Sequence, residues 1–214
     1  GSTLKNMLHF VLIRHGETLW TKEKRYQGKS NTPLTAQGRK QMGRFVAEIS
    51  KYRPEVIFSS HLHRSLESAQ ILCKPLRKRP KVDERLAELG FGAWEGKTAN
   101  ELMVEKDPAY LQWFKGKIVT PKGGEPLPAF HQRVRSFIRY CEKKFDGKKI
   151  IIVTHRGVIR MFLSEFLRLP HEQLFQFRID PGSMTIIGKY QYSSQLVLLN
   201  SPVPMKGIVP RGCV

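Results

Sequence analysis

The chain has 214 residues, with 40% apolar content and 37 Lys+Arg against 18 Asp+Glu, a formal net charge of +19. That length suits one sizeable α/β domain, and no apolar run approaches the ~18 residues of a membrane span. The three cysteines (Cys73, Cys141, Cys213) have no CxxC or metal-ligand spacing, which argues against a disulfide scaffold and points to a reducing, cytoplasmic compartment.

In chain order, residues 1–6 read as an N-terminal extension, with Gly1-Ser2 fitting a cloning scar and Met7 a candidate natural start. Short β-branched or aromatic runs predict strands at 8–13, 55–58, 149–154, 174–179, 184–190 and 195–199. Helical patterns lie between them, at 35–49, 62–72, 128–145 and 158–167. Thr98-Ala-Asn-Glu101 is a capping box, and Asp107-Pro108 is an N-cap followed by proline at the first helical position. The segment 201–214 holds three prolines and no periodicity, so it reads as an irregular tail to a domain spanning 7–200. Alternating strands and helices predict a three-layer α/β/α sandwich around a mostly parallel sheet.

Two predicted strands end in a histidine. FVLIRHGETLW carries an apolar run straight into Arg14, His15, Gly16 and Glu17, and KKIIIVTHRGVIR ends in His155 before Gly157 and a helix. Open parallel sheets bind ligands outside the carboxyl ends of their strands, so both imidazoles can face one crevice. The strand at 55–58 leads into Ser59, Ser60 and Arg64. Two arginines beside two imidazoles call for an anion, and a phosphoryl group suits the guanidinium fork. Histidine can take a phosphoryl group on a ring nitrogen, and the flanking cations would stabilise its equatorial oxygens. The candidate proton donor is Glu88 in RLAELGFGAWEG, ahead of a Gly/aromatic loop, with Glu84 and Glu95 as neighbouring alternatives. Partial burial favours a neutral carboxyl group, as a general acid near pH 7 requires. No Asp/Glu/His cluster has metal-ligand spacing, so neither a metal nor a cofactor is expected. His9, His61, His63, His131 and His171 read as ordinary histidines, and Phe91 and Trp94 as pocket walls or loop anchors.

RHGET at 14–18, the RYQG and NTPLTAQG segments within 25–38, SSHLHRSLESA at 59–69, AELGFGAWEG at 87–96, GGE at 123–125 and VTHRGVIR at 153–160 together resemble the histidine phosphatase superfamily, also called phosphoglycerate mutase-like. FGAWEG resembles α-ribazole phosphatases and broad-specificity phosphatases more than the glycolytic mutases. The resemblance implies a phosphorylated nucleophile at His15, a phosphate clamp of Arg14, Arg64 and His155, a proton donor at Glu88, and a substrate-lining pair at Gln27 and Gly28. Two positions depart from the pattern. Thr21 stands where relatives commonly have a phosphate-contacting Asn, and Arg156 where they usually have Gly. Arg156 either adds a guanidinium to the pocket or turns away and reshapes the strand-to-helix turn.

The expected activity is metal-independent hydrolysis of a phosphorylated small molecule. A phosphoglycerate mutase is the rival enzyme, disfavoured by the short segment between Glu88 and Gly123. A basic scaffold that holds nucleic acid or another polyanion through its +19 charge is the rival binding protein.

Overall fold

A computed structural model describes residues 7–207. The extension at 1–6, Cys213 and the tail beyond Gly207 lie outside the described residues.

The apolar runs form a six-stranded sheet: β1 (Leu8–Arg14), β2 (Val56–Ser59), β3 (Lys81–Val82), β4 (Lys149–Thr154), β5 (Met184–Lys189) and β6 (Ser194–Ser201), in the order β3-β2-β4-β1-β5-β6. β3, β2, β4 and β1 pair in parallel, and β5 runs antiparallel to both β1 and β6. The sheet is therefore mostly parallel. Its central strands are buried on both faces, which explains why β1 and β4 read as unbroken apolar runs without alternation.

Among the described residues there are eight α-helices: α1 (Leu19–Lys22), α2 (Ala36–Gly43), α3 (Val46–Tyr52), α4 (His63–Cys73), α5 (Ala99–Val104), α6 (Pro108–Phe114), α7 (Leu127–Lys144) and α8 (Arg156–Leu167). The period-2 geometry of the strands splits the core in two. Phe10, Leu12, Phe58, Ile150 and Ile152 pack with residues of α7 and α8, including Phe137, Ile138 and Phe162. Val11, Ile13, Ile57, Ile151 and Val153 pack with Met42, Phe45, Ile49 and Leu72 of the opposite layer. The result is the expected α/β/α sandwich.

The structure corrects the sequence reading at three places. Residues 174–179 are not a strand, because His171–Gln176 form a 3-10 helix and Phe177 onward is extended without a ladder partner. Phe175 and Leu174 are apolar because they wall a cavity beside α8, a role their β-like composition does not distinguish. The single helix expected over 35–49 is two. Arg44 and Phe45 donate to Gln41 and Met42, an i→i−3 tightening that seats Phe45 fully buried on the sheet. The edge strand β3, which ends the basic run KPLRKRPK, has no counterpart among the strands expected from sequence. Both caps are as expected. Thr98 and Glu101 make the reciprocal capping box of α5, and the Asp107 carboxylate accepts from Tyr110 N–H at the start of α6.

Candidate functional site

The register fixes the site. Arg14 pairs with Thr154 and Ser59 with Val153, so β1, β4 and β2 end side by side and their next residues, His15, His155 and Ser60, share one edge of the sheet. The His15 and His155 rings lie 5.2 Å apart, both essentially inaccessible to solvent.

His15 Nδ1 lies 2.8 Å from the Gly16 carbonyl oxygen, which can only accept. The ring proton is therefore assigned to Nδ1, leaving the Nε2 lone pair outward, where Arg64 Nε donates at 3.3 Å. Gly16 permits this turn through its lack of a side chain, since a Cβ there would lie 2.4 Å from the Gly38 carbonyl oxygen. Burial first, then the charges of Arg64 and Arg14, hold His15 well below the usual histidine range. His155 is depressed by burial first, then by Arg64 and His15. Both imidazoles are thus neutral near pH 7. His155 Nε2 meets Ser60 Oγ at 2.7 Å, and Leu62 N–H already donates to that hydroxyl oxygen. With one lone pair of that oxygen taken, we assign the Ser60 proton to Nε2 and the imidazole proton to Nδ1.

Arg14 donates through one terminal nitrogen to the Ile179 carbonyl at 2.6 Å. Its Nε and His155 Nδ1 are buried without a partner among the described residues. Two orphaned buried donors are costly, at about 1–3 kcal/mol each, unless a ligand accepts from them. Arg64 is buried on α4 and donates to the Ser30 and Gly28 carbonyls at 2.7 and 2.6 Å. One N–H on each of those nitrogens is still available. Burial, then repulsion from Arg156, lowers Arg14 to about 9, and burial lowers Arg64 to about 10.

Glu88 is held from two sides. Its carboxylate accepts from Gly157 N–H at 3.1 Å and Leu89 N–H at 2.9 Å, and a Cβ at Gly157 would sit 2.3 Å from Glu88 Oε1, so the carboxylate holds this place only against a glycine. Behind it, Arg133 donates to the Arg85, Ala87 and Glu88 carbonyls and pairs with Glu125, which accepts from Gly90 N–H. Thr154 Oγ1 adds a bond to the Leu86 carbonyl. Arg133 has no signal in the sequence beyond its place on the α7 pattern. The neighbouring carboxylates serve elsewhere: Glu95 Oε1 accepts from both Ser30 N–H and Oγ, and Glu84 is exposed.

Arg14, Arg64, Glu88, Gln27, Gly28 and Arg156 line one cavity of about 400 Å3. Gln27 Oε1 accepts from the Thr18 and Thr32 hydroxyls. Gly28 has a positive φ of 52°, and its carbonyl anchors Arg64. The expected phosphate contact at Thr21 meets an obstacle. Its hydroxyl proton goes to the Thr18 carbonyl and its oxygen accepts from Thr18 N–H, so it is spent in the capping box of α1 although the residue borders the cavity. Of the two orientations the sequence allows for Arg156, the structure has the one that lines the cavity. Phe91 lines it too, whereas Trp94 is a buried anchor among Phe91, Tyr110 and Trp113. Among the described residues, no group of three or more His, Cys, Asp or Glu is placed to hold a metal, and no helix is long and apolar enough to cross a membrane.

Residues 10–202 match the family model for the histidine phosphatase superfamily (branch 1). The chain is 30% identical over 191 residues to the adenosylcobalamin/alpha-ribazole phosphatase of Escherichia coli, covering 89% of this chain and 94% of that protein. It is 26% identical over 195 residues to phosphoserine phosphatase 1 of Hydrogenobacter thermophilus, covering 91% and 92%. The crystal structure of the alpha-ribazole phosphatase from Shigella flexneri superposes with a TM-score of 0.81 at 31% identity, covering 92% of this chain and 98% of that one. With its paired strand-end histidines inside that match, the chain belongs to branch 1 of the histidine phosphatase superfamily.

Proposed function

We propose that the chain is a phosphomonoesterase that hydrolyses a phosphorylated small molecule through a phosphohistidine on His15. The observation that carries the reading is the pair of orphaned buried donors, Arg14 Nε and His155 Nδ1, beside the His15–Arg64 contact. That arrangement suits a tetrahedral dianion.

In the first step His15 Nε2 attacks phosphorus, the N–P bond forms and the P–O bond to the leaving group breaks. Arg14, Arg64 and His155 donate to the equatorial oxygens, where charge is greatest in the transition state. Glu88, protonated, gives its proton to the departing alkoxide. In the second step water attacks phosphorus, its proton passes to the Glu88 carboxylate, the N–P bond breaks and inorganic phosphate leaves. Neutral His15 is ready to act as a nucleophile without a base, because burial and two arginines keep it unprotonated. The guanidiniums bring the positive charge that a divalent ion would otherwise bring, so activity is independent of metal. The enzyme is expected to act in the cytoplasm.

Turnover of p-nitrophenyl phosphate by the parent and by His15→Ala, each after dialysis against a strong chelator, tests this. The expected result is chelator-resistant activity in the parent and a loss of several orders of magnitude in the variant. Near-parental rates in His15→Ala would overturn the reading, and restoration of a chelated enzyme by Mg²⁺ or Zn²⁺ would overturn its metal independence.

A further inference from the structure

The phosphate cavity continues past Glu88. A second cavity of about 230 Å3 adjoins it, with Tyr26, Glu88, Phe91 and Arg156 lining both. Its other walls are mostly apolar, among them Trp113, Leu127, Phe130, Leu174 and Phe175. That space is large against the ~30 Å3 that one water occupies in the liquid, so a ring-sized group fits.

Two cations face this mostly apolar space. The Arg156 side chain makes no hydrogen bond or ion pair with any described residue. Arg160 lies four residues further along α8, on the same helix face, and is also part of the lining. It donates Nε to the Phe177 carbonyl at 2.8 Å, and its guanidinium carbon sits 5.9 Å from the Phe175 ring centre. Like charges at this spacing repel, and burial, then the charge of Arg156, brings Arg160 down to about 10. The one carboxylate in the lining, Glu88, is bonded to the Gly157 and Leu89 amides rather than to either arginine. Glu88 offsets part of this charge through space but bonds to neither guanidinium. A bound anion would bond to both.

We infer that the substrate is a phosphomonoester whose leaving group carries a second anionic group on an apolar, ring-sized body. The inference rests on the phosphatase reading above. The phosphoryl group sits at His15, Arg14 and Arg64, the apolar body lies against Phe91, Trp113 and Phe130, and Arg156 and Arg160 take the distal anion. Glu88 stands where the two cavities meet, which is where the bridging ester oxygen of such a molecule would lie. Arg156, at the junction of the two cavities, and Arg160, within the second one, are then specificity residues for the leaving group.

The test compares 4-(carboxymethyl)phenyl phosphate with its uncharged methyl amide, whose leaving groups differ little in acidity. A third substrate, 4-(phosphonomethyl)phenyl phosphate, separates a distal carboxylate from a distal phosphate-like group. The parent should favour at least one of the anionic substrates over the amide by tenfold or more in kcat/KM, chiefly through KM. Arg156→Gln and Arg160→Gln should each reduce that ratio several-fold, and the double variant should bring it near one. Arg156→Lys should keep part of the preference, which shows that a misfolded variant is not the cause. His15-dependent hydrolysis of all three substrates with no charge preference in the parent, or a preference that survives in the double variant, overturns the second-anion assignment and leaves the phosphatase reading standing. No turnover of any of the three, or turnover that persists in His15→Ala, overturns the phosphatase reading itself.

Discussion

His15 and His155 are buried beside arginines, and both are held well below the usual histidine range, by burial first. In the unfolded chain each would titrate near 6.5. Between that value and the lower folded values, the unfolded state binds more protons, so stability falls as pH drops below about 6.5. The loss is up to about 1.4 kcal/mol per pH unit for each histidine. Urea midpoints of the ligand-free protein should therefore decline from pH 7 to pH 5, and less steeply in His155→Gln, which has one such group fewer. Equal slopes would mean that His155 is not held neutral. Inorganic phosphate should raise the midpoint, since it accepts from the orphaned Arg14 Nε and His155 Nδ1. Most of these residues are legible in the amino-acid order alone: His15, Arg14 and His155 stand at strand ends, and Arg64 follows the next one. Thr21 is not, because a hydroxyl that satisfies its own helix cap looks the same in sequence as one that faces a ligand.

The β4-to-α8 connection and the loop bearing Glu88 depend on each other. Adding a single methyl group in Gly157→Ala would place a carbon 2.3 Å from Glu88 Oε1 and remove the carboxylate from its amides. Glu88→Gln keeps the shape but has no proton to transfer. Both variants should slow alkyl phosphate hydrolysis by about a hundredfold or more, worth about 3 kcal/mol, and p-nitrophenyl phosphate far less, because p-nitrophenolate leaves without a proton. Matched losses on both substrates would make Glu88 a positioning residue instead. Arg133→Met acts one step further back, through the carbonyls of Arg85, Ala87 and Glu88. It should reproduce the same leaving-group signature more weakly. The periodic elements are readable from sequence because each apolar stripe answers to one packed face, as on α7, where Phe130, Val134, Phe137, Ile138 and Cys141 are all buried. The 3-10 helix at His171–Gln176 is not, since its apolar residues line a cavity and follow no lattice period. Arg133 escapes for a related reason. Its partners are Glu125, eight residues back, and backbone carbonyls 45 to 48 residues away, a set that no helical period encodes.

Over the whole molecule, the net charge of +19 raises the local concentration of anions around a cavity that already holds Arg14, Arg64 and Arg156. Association of a phosphate dianion should weaken with added salt, so kcat/KM for p-nitrophenyl phosphate should fall several-fold between about 10 mM and 150 mM ionic strength, with kcat much less affected. A flat kcat/KM would show that the surface charge plays no part in capture. The central claim is covalent: His15 Nε2 carries the phosphoryl group between the two halves of the reaction. Rapid quench of the parent with a 32P-labelled phosphomonoester, under alkaline conditions that preserve phosphohistidine, measures it directly. The account predicts an acid-labile label on the protein within one turnover, mapped to the peptide containing His15 and absent from His15→Ala. Full steady-state turnover with no protein-bound label at any quench time, or label on His155 in place of His15, would contradict it.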